Sequence, residues 1–113
     1  MQIVKEKINV SVLRGMSKKM FGNLVKAVVD VEEGIMVIDG ELHADELAVL
    51  IENGSEQKNL WGINIYPEKK GEDFIEFDSV INIRPNQGNH SRGVEDEQER
   101  EKIVGVVNKL IQV

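Results

Sequence analysis

The sequence predicts an α+β fold: a single layer of mostly antiparallel sheet, with about five short strands, and two or three helices packed on one face. Three observations lead to this fold class. Apolar residues recur at spacings of three and four near both ends of the chain, as in one-sided helices. Between them lie short runs in which apolar and polar residues alternate, as in strands. Turn-forming pairs such as Asp39-Gly40 separate the runs and favour hairpins.

The first predicted helix rests on a stripe of apolar residues at helical spacing: Val10, Leu13, Met16, Met20 and Phe21. Asn9 or Ser11 is placed to cap its start, and Gly22 to end it. The run LVKAVVDV at 24–31 is rich in β-branched residues and alternates, so it predicts a strand.

The near-continuous apolar run 35–38 predicts a central strand. Asp39-Gly40 then predicts a tight turn and a short return strand through Leu42 and His43. If residues 35–43 formed an exposed edge, they would pair across a twofold axis, which makes a homodimer possible.

Residues 45–53 predict either a second helix, capped by Asp45, or a strand that turns at Asn53-Gly54. The segment Leu60 to Tyr66 is clearer, because apolar residues alternate along it and Pro67 ends it. At the other end of the chain, Asp96 and Glu99 form an acidic capping box. The helix that follows has an apolar side made of Ile103, Val106, Val107, Leu110 and Ile111.

The segment FIEFDSVINIR at 74–84 carries apolar residues on one parity: Ile75, Phe77, Ile81 and Ile83. The other parity carries a polar row made of Glu76, Asp78, Asn82 and Arg84. The pattern indicates one long strand, or two strands bent or bulged near Asp78-Ser79. In the unbroken form the polar row lies on a sheet face that the core does not need.

The composition restricts the classes of protein to which the chain can belong. Its 113 residues suit one domain, 1–113, and 41% hydrophobic with 30% charged residues is typical of globular proteins. The net charge of -6 is opposite in sign to that of most phosphate-backbone binders, so we expect no nucleic-acid partner. Because the chain has no cysteine, thiol catalysis and thiolate metal sites are excluded.

The chain also lacks the marks of an inserted or exported protein. No run approaches the ~18 consecutive apolar residues of a membrane span. The N-terminal MQIVKEKINV has charged residues where a signal peptide needs an apolar stretch. We therefore expect a cytoplasmic protein that makes no membrane contact.

The segment RPNQGNHSRGVED at 84–96 is too polar for a core element and predicts a loop before the last helix. One hypothesis places an anion there, held by Arg84, Arg92, Ser91 and the amides of Gly88 and Gly93. The acids at 95–97 already occupy the helix start and oppose that site. The alternative is a solvated loop whose arginines pair with nearby acids.

A second hypothesis is catalytic. Glu76 and Asp78, two residues apart on a strand, project the same way, and with Glu95 or Asp96 they would hold magnesium through oxygen ligands. Arg84 or Arg92 would then stabilise charge, and one carboxylate would act as the base, in a phosphate-ester hydrolase. No known metal or nucleotide motif frames these residues, and neither His43 nor His90 has zinc-ligand spacing, so no metal or cofactor is expected. We expect His43 to be a partly buried hydrogen-bonding residue and His90 to be exposed.

Five segments together resemble a family of small prokaryotic proteins known only as a domain of unknown function: MFGNLVKAVVD at 20–30, ELHAD at 41–45, LWGINIYP at 60–67, IEFDSVINIRP at 75–85 and QGNHSRGVED at 87–96. The resemblance spans most of the chain. It implies no activity and carries over no site residues, but it implies a small cytoplasmic prokaryotic protein.

The sequence therefore predicts a small binding module that takes a small polar or anionic ligand, or a protein partner, on the polar sheet face and the 84–96 loop. The candidate ligand-binding residues are Asn64, Tyr66, Asn82, Arg84, Asn86, Gln87, Asn89, Arg92 and Glu95. The alternatives are the magnesium-dependent hydrolase, with Glu76, Asp78 and Arg84 as its catalytic candidates, and a self-associating structural protein.

Overall fold

A five-stranded antiparallel sheet forms the centre of the molecule in a computed structural model that describes residues 1–113. Its strands in spatial order are β1 (Gln2–Val4), β4 (Ile35–Ile38), β3 (Val25–Asp30), β5 (Leu60–Ile65) and β6 (Ile75–Glu76). A separate parallel pair joins β2 (Ile8–Asn9) to β7 (Ile111–Gln112). The three helices are α1 (Val10–Lys19), α2 (His43–Glu52) and α3 (Glu97–Leu110). None of them is long and apolar enough to cross a membrane.

Strand β3 lies in the middle of the sheet, paired with β4 on one side and with β5 on the other. Val25, Ala27 and Val29 project from one face into the main hydrophobic core, as the alternation at 24–31 predicts. Trp61, Ile63 and Ile65 of β5 join them on that face. The predicted apolar sides of β3 and β5 therefore form one continuous face of the main core.

Helices α1 and α3 cover this face of the sheet. Asn9 caps α1 by accepting a hydrogen bond from Ser11 N, and Asp96 caps α3 by accepting one from Gln98 N, so both predicted N-cap residues are confirmed. The predicted capping box is not completed, because Glu99 accepts a hydrogen bond from Trp61 Nε1 and none from Asp96 N. The buried side of α3 consists of the predicted residues Ile103, Val106, Val107 and Leu110, whereas Ile111, also predicted there, begins β7. The stripe of α1 ends earlier than predicted, because the helix stops at Lys19 and the next two apolar side chains are exposed.

The α+β class is confirmed, but the helices occupy both faces of the sheet. Helix α2 packs on the face opposite α1 and α3, where Leu50 meets Val28, Val37 and Leu60. The cause is that β3 and β4 carry apolar side chains on both parities, so each face needs a cover.

The segment after β4 differs from the predicted hairpin. Asp39 has the positive φ of a turn residue (66°), but the chain then enters α2 at His43 instead of forming a return strand. The alternative of a helix at 45–53 is thus confirmed, and the helix ends at Asn53-Gly54 as predicted. The predicted cap is wrong, because the helix begins two residues earlier and Asp45 lies in its first turn. Strand β4 lies between β1 and β3, so residues 35–43 do not form an exposed sheet edge. The predicted pairing of two copies through this edge was therefore wrong.

The segment 74–84 is neither one long strand nor two. Only Ile75–Glu76 pairs with β5, and after Ser79 the chain turns through a short 3-10 helix at Val80–Asn82. Ile75 and Phe77 pack on the main core, whereas Ile81 packs on the α2 side and Ile83 is exposed. The apolar residues of this segment therefore lie on two different faces of the sheet, and the polar residues do not form an unbroken row.

Two glycines give opposite predictions for stability. Gly15 is exposed within α1, and a Cβ there has no neighbour within 4 Å, so Gly15→Ala should raise the free energy of unfolding by about 1 kcal/mol. A Cβ on Gly62 would lie 2.6 Å from Ser79 Cβ, so Gly62→Ala should lower it by roughly 1–3 kcal/mol. Urea denaturation of both variants measures the two changes. An unaltered midpoint for Gly62→Ala would contradict the close packing of this strand.

A buried carboxyl group anchors α2 to the end of β4. Glu46 is 0% exposed; its Oε2 accepts a hydrogen bond from Gly40 N at 2.9 Å, and its Oε1 has no partner. Burial raises the pKa of Glu46 from 4.5 to about 9, against the opposing effects of the Gly40 hydrogen bond and the Lys26 charge. The folded state therefore retains a proton that the unfolded chain loses.

This difference predicts that the protein loses stability as the pH rises. The contribution of the protonated Glu46 is complete below pH 4.5 and is lost progressively up to about 9. Glu46→Gln should flatten the fall in unfolding free energy between pH ~5 and ~8, as urea denaturation measures it. Glu52→Gln, exposed on the same helix, is the matched control. An identical pH slope in Glu46→Gln and wild type would overturn the assignment.

Candidate functional site

Five of the predicted residues come together where β5 ends against β6, and we call them the Asn64 cluster: Asn64, Tyr66, Glu76, Asp78 and Arg92. Glu76 Oε1 accepts hydrogen bonds from Asn64 Nδ2 at 2.8 Å and from Tyr66 Oη at 2.9 Å. Arg92 Nε donates to Asp78 Oδ1 at 2.6 Å. The cluster therefore combines two carboxylates, a guanidinium, an amide and a phenol.

Strand pairing explains why these side chains meet. Asn64 and Glu76 are direct cross-strand partners, so their side chains project from the same face, with Tyr66 two residues further along. The loop supplies Arg92, whose carbonyl oxygen accepts hydrogen bonds from Ser79 N and Asn82 Nδ2. These backbone contacts fix the position of Arg92 relative to Asp78.

The Asn64 amide has one hydrogen-bonding atom left without a partner. Its nitrogen faces the Glu76 carboxylate and, at 3.4 Å, the Asp78 carbonyl, and this contact set fixes which end of the amide is nitrogen. The oxygen, Oδ1, is buried and accepts no hydrogen bond, although Asn64 is only 7% exposed. A buried acceptor without a donor destabilises the fold, so a donor brought by a ligand would be favourable there.

Local electrostatics keep the cluster in one protonation state near neutral pH. The hydrogen bond and charge of Asp78 raise the pKa of Arg92, so the guanidinium stays charged. Desolvation and the neighbouring Glu76 carboxylate raise the pKa of Tyr66, so its hydroxyl stays a donor. Only Nε of Arg92 makes a hydrogen bond within the chain, which leaves both Nη groups for another partner.

His43 lies at the edge of the cluster, and the sequence did not assign it to a site. Its Nε2 is 2.8 Å from Ile63 O, next to Asn64 on β5. Burial lowers the pKa of His43, partly opposed by that hydrogen bond, so the ring is neutral, Nε2 donates and Nδ1 is an acceptor. Lys26, the cross-strand partner of Asn64, was likewise not proposed. The only indication in the sequence was its place in the alternating pattern of β3, which puts Lys26 on the sheet face opposite the main core.

Asn82 and Arg84 are buried and bind the backbone of β5. Asn82 accepts from Gly62 N at 2.8 Å and donates to Gly62 O at 2.9 Å. Arg84 donates to Leu60 O at 2.6 Å, and its guanidinium stacks 4.1 Å from the centre of the Trp61 ring. Their polar groups thus bind backbone within the protein: Asn82 supports the Asn64 cluster from below through Arg92 O, and Arg84 lies outside the cluster.

Asn89 organises the 84–96 loop and is 3% exposed. Its Nδ2 donates to the carbonyl oxygens of Asn82, Gly93 and Ser91, and its Oδ1 accepts from Glu95 N at 2.9 Å. The loop is therefore mostly exposed, as the predicted solvated connection is, but it is held by its own hydrogen bonds. Of its two arginines, Arg92 pairs with an acid as predicted, whereas Arg84 binds backbone carbonyls.

The remaining predicted binding residues lie outside the cluster. Gln87 donates to Lys58 O, beyond the opposite end of β5, and Asn86 is exposed with no side-chain hydrogen bond. Glu95 Oε2 accepts from His90 N at 2.6 Å, and this hydrogen bond lowers the pKa of Glu95. His90 is exposed, as predicted.

The geometry does not assemble the two charged sites considered from the sequence. Arg84 binds Leu60, four residues or ~13 Å along β5 from Asn64, so it is separated from Glu76 and Asp78. For the same reason Arg84 and Arg92 do not converge on one anion. No three histidine, aspartate or glutamate side chains gather closely enough to hold a metal ion.

The hydrogen bonds of Asn89 predict a large effect on stability. Asn89→Ala should lower the free energy of unfolding by roughly 2–4 kcal/mol, because buried carbonyls and one amide lose their partner. Asn86→Ala, in the same loop but exposed, should change it by less than about 0.5 kcal/mol. Urea denaturation compares the pair. Equal stability of the two variants would contradict a structural role for Asn89.

Comparison with known proteins identifies the family of the chain but no activity. A search of the curated proteins and a search of the solved structures give no match to the chain. A family model described as "Protein of unknown function (DUF5674)" matches residues 2–110. The resemblance seen in the sequence is thereby confirmed, and the chain belongs to the DUF5674 family.

Proposed function

We propose that the protein is a binding module and that the Asn64 cluster is its ligand site. The observation that carries the proposal is the buried oxygen of Asn64, which has no donor within the chain. Native proteins satisfy nearly all such atoms, and an exception beside exposed charged groups is best explained by a partner that arrives from outside.

The chemistry of the cluster defines the ligand that would fit. Asn64 Oδ1 requires a hydrogen-bond donor, whereas the free Nη groups of Arg92 favour a carboxylate or phosphate. Both lie beside Asp78, which contacts Asn64 through its carbonyl and Arg92 through its carboxylate. We therefore expect a small polar ligand that has an anionic group and a nearby hydroxyl or amino group.

A ligand must displace side chains to reach the buried oxygen. Lys26 and Arg92 flank Asn64 on this face, and both are long and at least partly exposed. The Lys26 ammonium lies over the Phe21 ring at 4.9 Å, so its side chain is held toward the end of the sheet by an interaction that is weak at exposed sites. Movement of these two side chains would admit a small molecule.

A thermal-shift screen with defined probes tests the proposal. The probes are sugar phosphates, nucleoside monophosphates and α-amino acids at millimolar concentration. A ligand present at ~100 times its Kd should add about 2.7 kcal/mol of stability and raise the Tm by several degrees. Arg92→Met should abolish the shift.

The ion pair between Arg14 and Glu68 offers a matched control. Its side chains are 45% and 67% exposed, compared with 54% and 42% for Arg92 and Asp78. Arg14→Met should therefore retain the ligand-induced shift. The proposal of a small-molecule ligand fails if no probe raises the Tm, and the assignment of the site fails if both arginine variants lose the shift equally.

The setting expected from the sequence remains part of the proposal: a cytoplasmic protein of a prokaryote. The resemblance quoted from the sequence supports that setting. A protein partner that presents a carboxylate side chain to Arg92 would use the same site, and the small-molecule screen distinguishes it by giving no shift.

A further inference from the structure

Four hydrogen-bond acceptors in and beside the Asn64 cluster have no donor within the chain. Asn64 Oδ1 is buried without a partner, and Nδ1 of His43 has none because only Nε2 of that ring makes a hydrogen bond. Glu76 accepts its hydrogen bonds through Oε1, and Asp78 accepts one through Oδ1, which leaves the second oxygen of each carboxylate. The only free donors of the cluster are the two Nη groups of Arg92.

The His43 ring lies on the same side of the sheet as the Asn64 side chain. Asn64 shares its parity along β5 with Leu60, which packs on the α2 side, so Asn64 projects toward α2. His43 is the first residue of α2, and its Nε2 contacts the carbonyl oxygen of the residue before Asn64. The charges of Asp78 and Arg92 act on the ring. Although the ring is mostly buried, its Nδ1 remains accessible, unlike Asn64 Oδ1.

A protonated amino group matches these acceptors better than a hydroxyl group does. An ammonium group has three N–H donors and no acceptor, so Asn64 Oδ1, His43 Nδ1 and one carboxylate oxygen of Asp78 would use all three. A hydroxyl group donates once, and its own lone pairs would need donors, which the cluster offers only at Arg92. The carboxylates of Glu76 and Asp78 would also stabilise the positive charge.

The free edge of Arg92 matches a carboxylate better than a phosphate. Since Nε is bound to Asp78, the two Nη groups remain, and a planar carboxylate can accept from such a pair of N–H groups. A phosphate group carries up to about two negative charges near neutral pH, so Glu76 and Asp78 would repel it more strongly than a carboxylate.

Two lysines border the cluster without neutralising its carboxylates. Lys26 Nζ lies 4.9 Å from the centre of the Phe21 ring, and Lys69 Nζ lies 4.5 Å from the centre of the Tyr66 ring. Neither lysine forms an ion pair. The second oxygens of the two carboxylates are therefore available to a cationic group of the ligand.

We propose that the ligand of the Asn64 cluster is an α-amino acid, with its ammonium group on Asn64 Oδ1 and His43 Nδ1 and its carboxylate on Arg92. This assignment rests on the proposed function, and it selects one of the ligand classes allowed there. An α-amino acid carries its two charged groups on one carbon atom, so its two binding positions must be adjacent. Asp78 places them so, because it contacts Asn64 through its carbonyl oxygen and Arg92 through its carboxylate.

Matched ligands test the two charged groups separately. A thermal-shift screen of the twenty L-α-amino acids selects the one with the largest effect, and titration calorimetry gives its Kd. Its α-hydroxy acid lacks the ammonium group, and its α-amide lacks the carboxylate. Each analogue should bind at least about 10-fold more weakly, because it leaves a charged group of the cluster without its partner.

Two substitutions separate the acceptor of His43 from its contact with β5. His43→Gln can still donate to the Ile63 carbonyl but has no acceptor at the position of Nδ1, so it should weaken amino-acid binding roughly 10-fold. His43→Asn keeps an acceptor near that position, loses the contact with Ile63, and should bind more tightly than His43→Gln. Asp45→Asn, exposed in the same helical turn, should leave the Kd unchanged. The Tm without ligand reports whether each variant is folded.

The outcomes distinguish the ligand class from the site. The amino-acid assignment is overturned if the α-hydroxy acid or the α-amide binds as tightly as the amino acid, or if a folded His43→Gln binds like the wild type. It is also wrong if sugar phosphates or nucleoside monophosphates raise the Tm and no amino acid does, in which case the proposed ligand site stands. If amino acids bind equally well to Arg92→Met, the proposed site itself is wrong.

Discussion

The outer edge of β5 is the constraint on which the rest of the structure depends. Its backbone groups must be paired because all six residues of the strand are buried, yet β6 pairs with only two of them. The Asn82 amide pairs with both the N–H and the carbonyl of Gly62, as a peptide group of a neighbouring strand would. The Arg84 guanidinium pairs with the carbonyl of Leu60. Asn89 then holds Asn82 through its carbonyl. The polar loop is thus a replacement for a missing strand.

This replacement explains which parts of the fold the sequence can predict. Caps, periodic stripes and alternating strands are local patterns, and α3, β3 and β5 form where those patterns place them. The segment 74–84 has an equally regular alternation, but its polar residues bind the backbone of another strand, which no local pattern records. Helix α2 packs on apolar residues of the second face of the sheet. The sequence pattern shows that these residues are buried, but it does not show which helix covers them.

The same distinction applies to the candidate site. Asn64, Tyr66, Glu76 and Asp78 were predictable because strand parity places them on one face. Asn82 and Arg84 share that parity in the sequence but lie beyond the break at Ser79, where strand geometry no longer holds. His43 and Lys26 join the site through the path of α2 and through cross-strand pairing, and both are long-range features. The polarity of these residues therefore predicted that they make specific contacts. Only the contacts in the folded chain show whether a residue stabilises the fold, as Asn82 and Arg84 do, or lies in the candidate site.

The parallel pairing of β2 with β7 has a consequence for how the chain reaches its fold during synthesis. Ile8 leaves the ribosome about a hundred residues before its partner Ile111. The part of the core face that α3 covers stays exposed until Ile103 to Ile111 have emerged. The nascent chain therefore completes its core only after translation of α3, and such long-range closure slows folding. Until then it presents an apolar sheet surface of the kind that chaperones recognise.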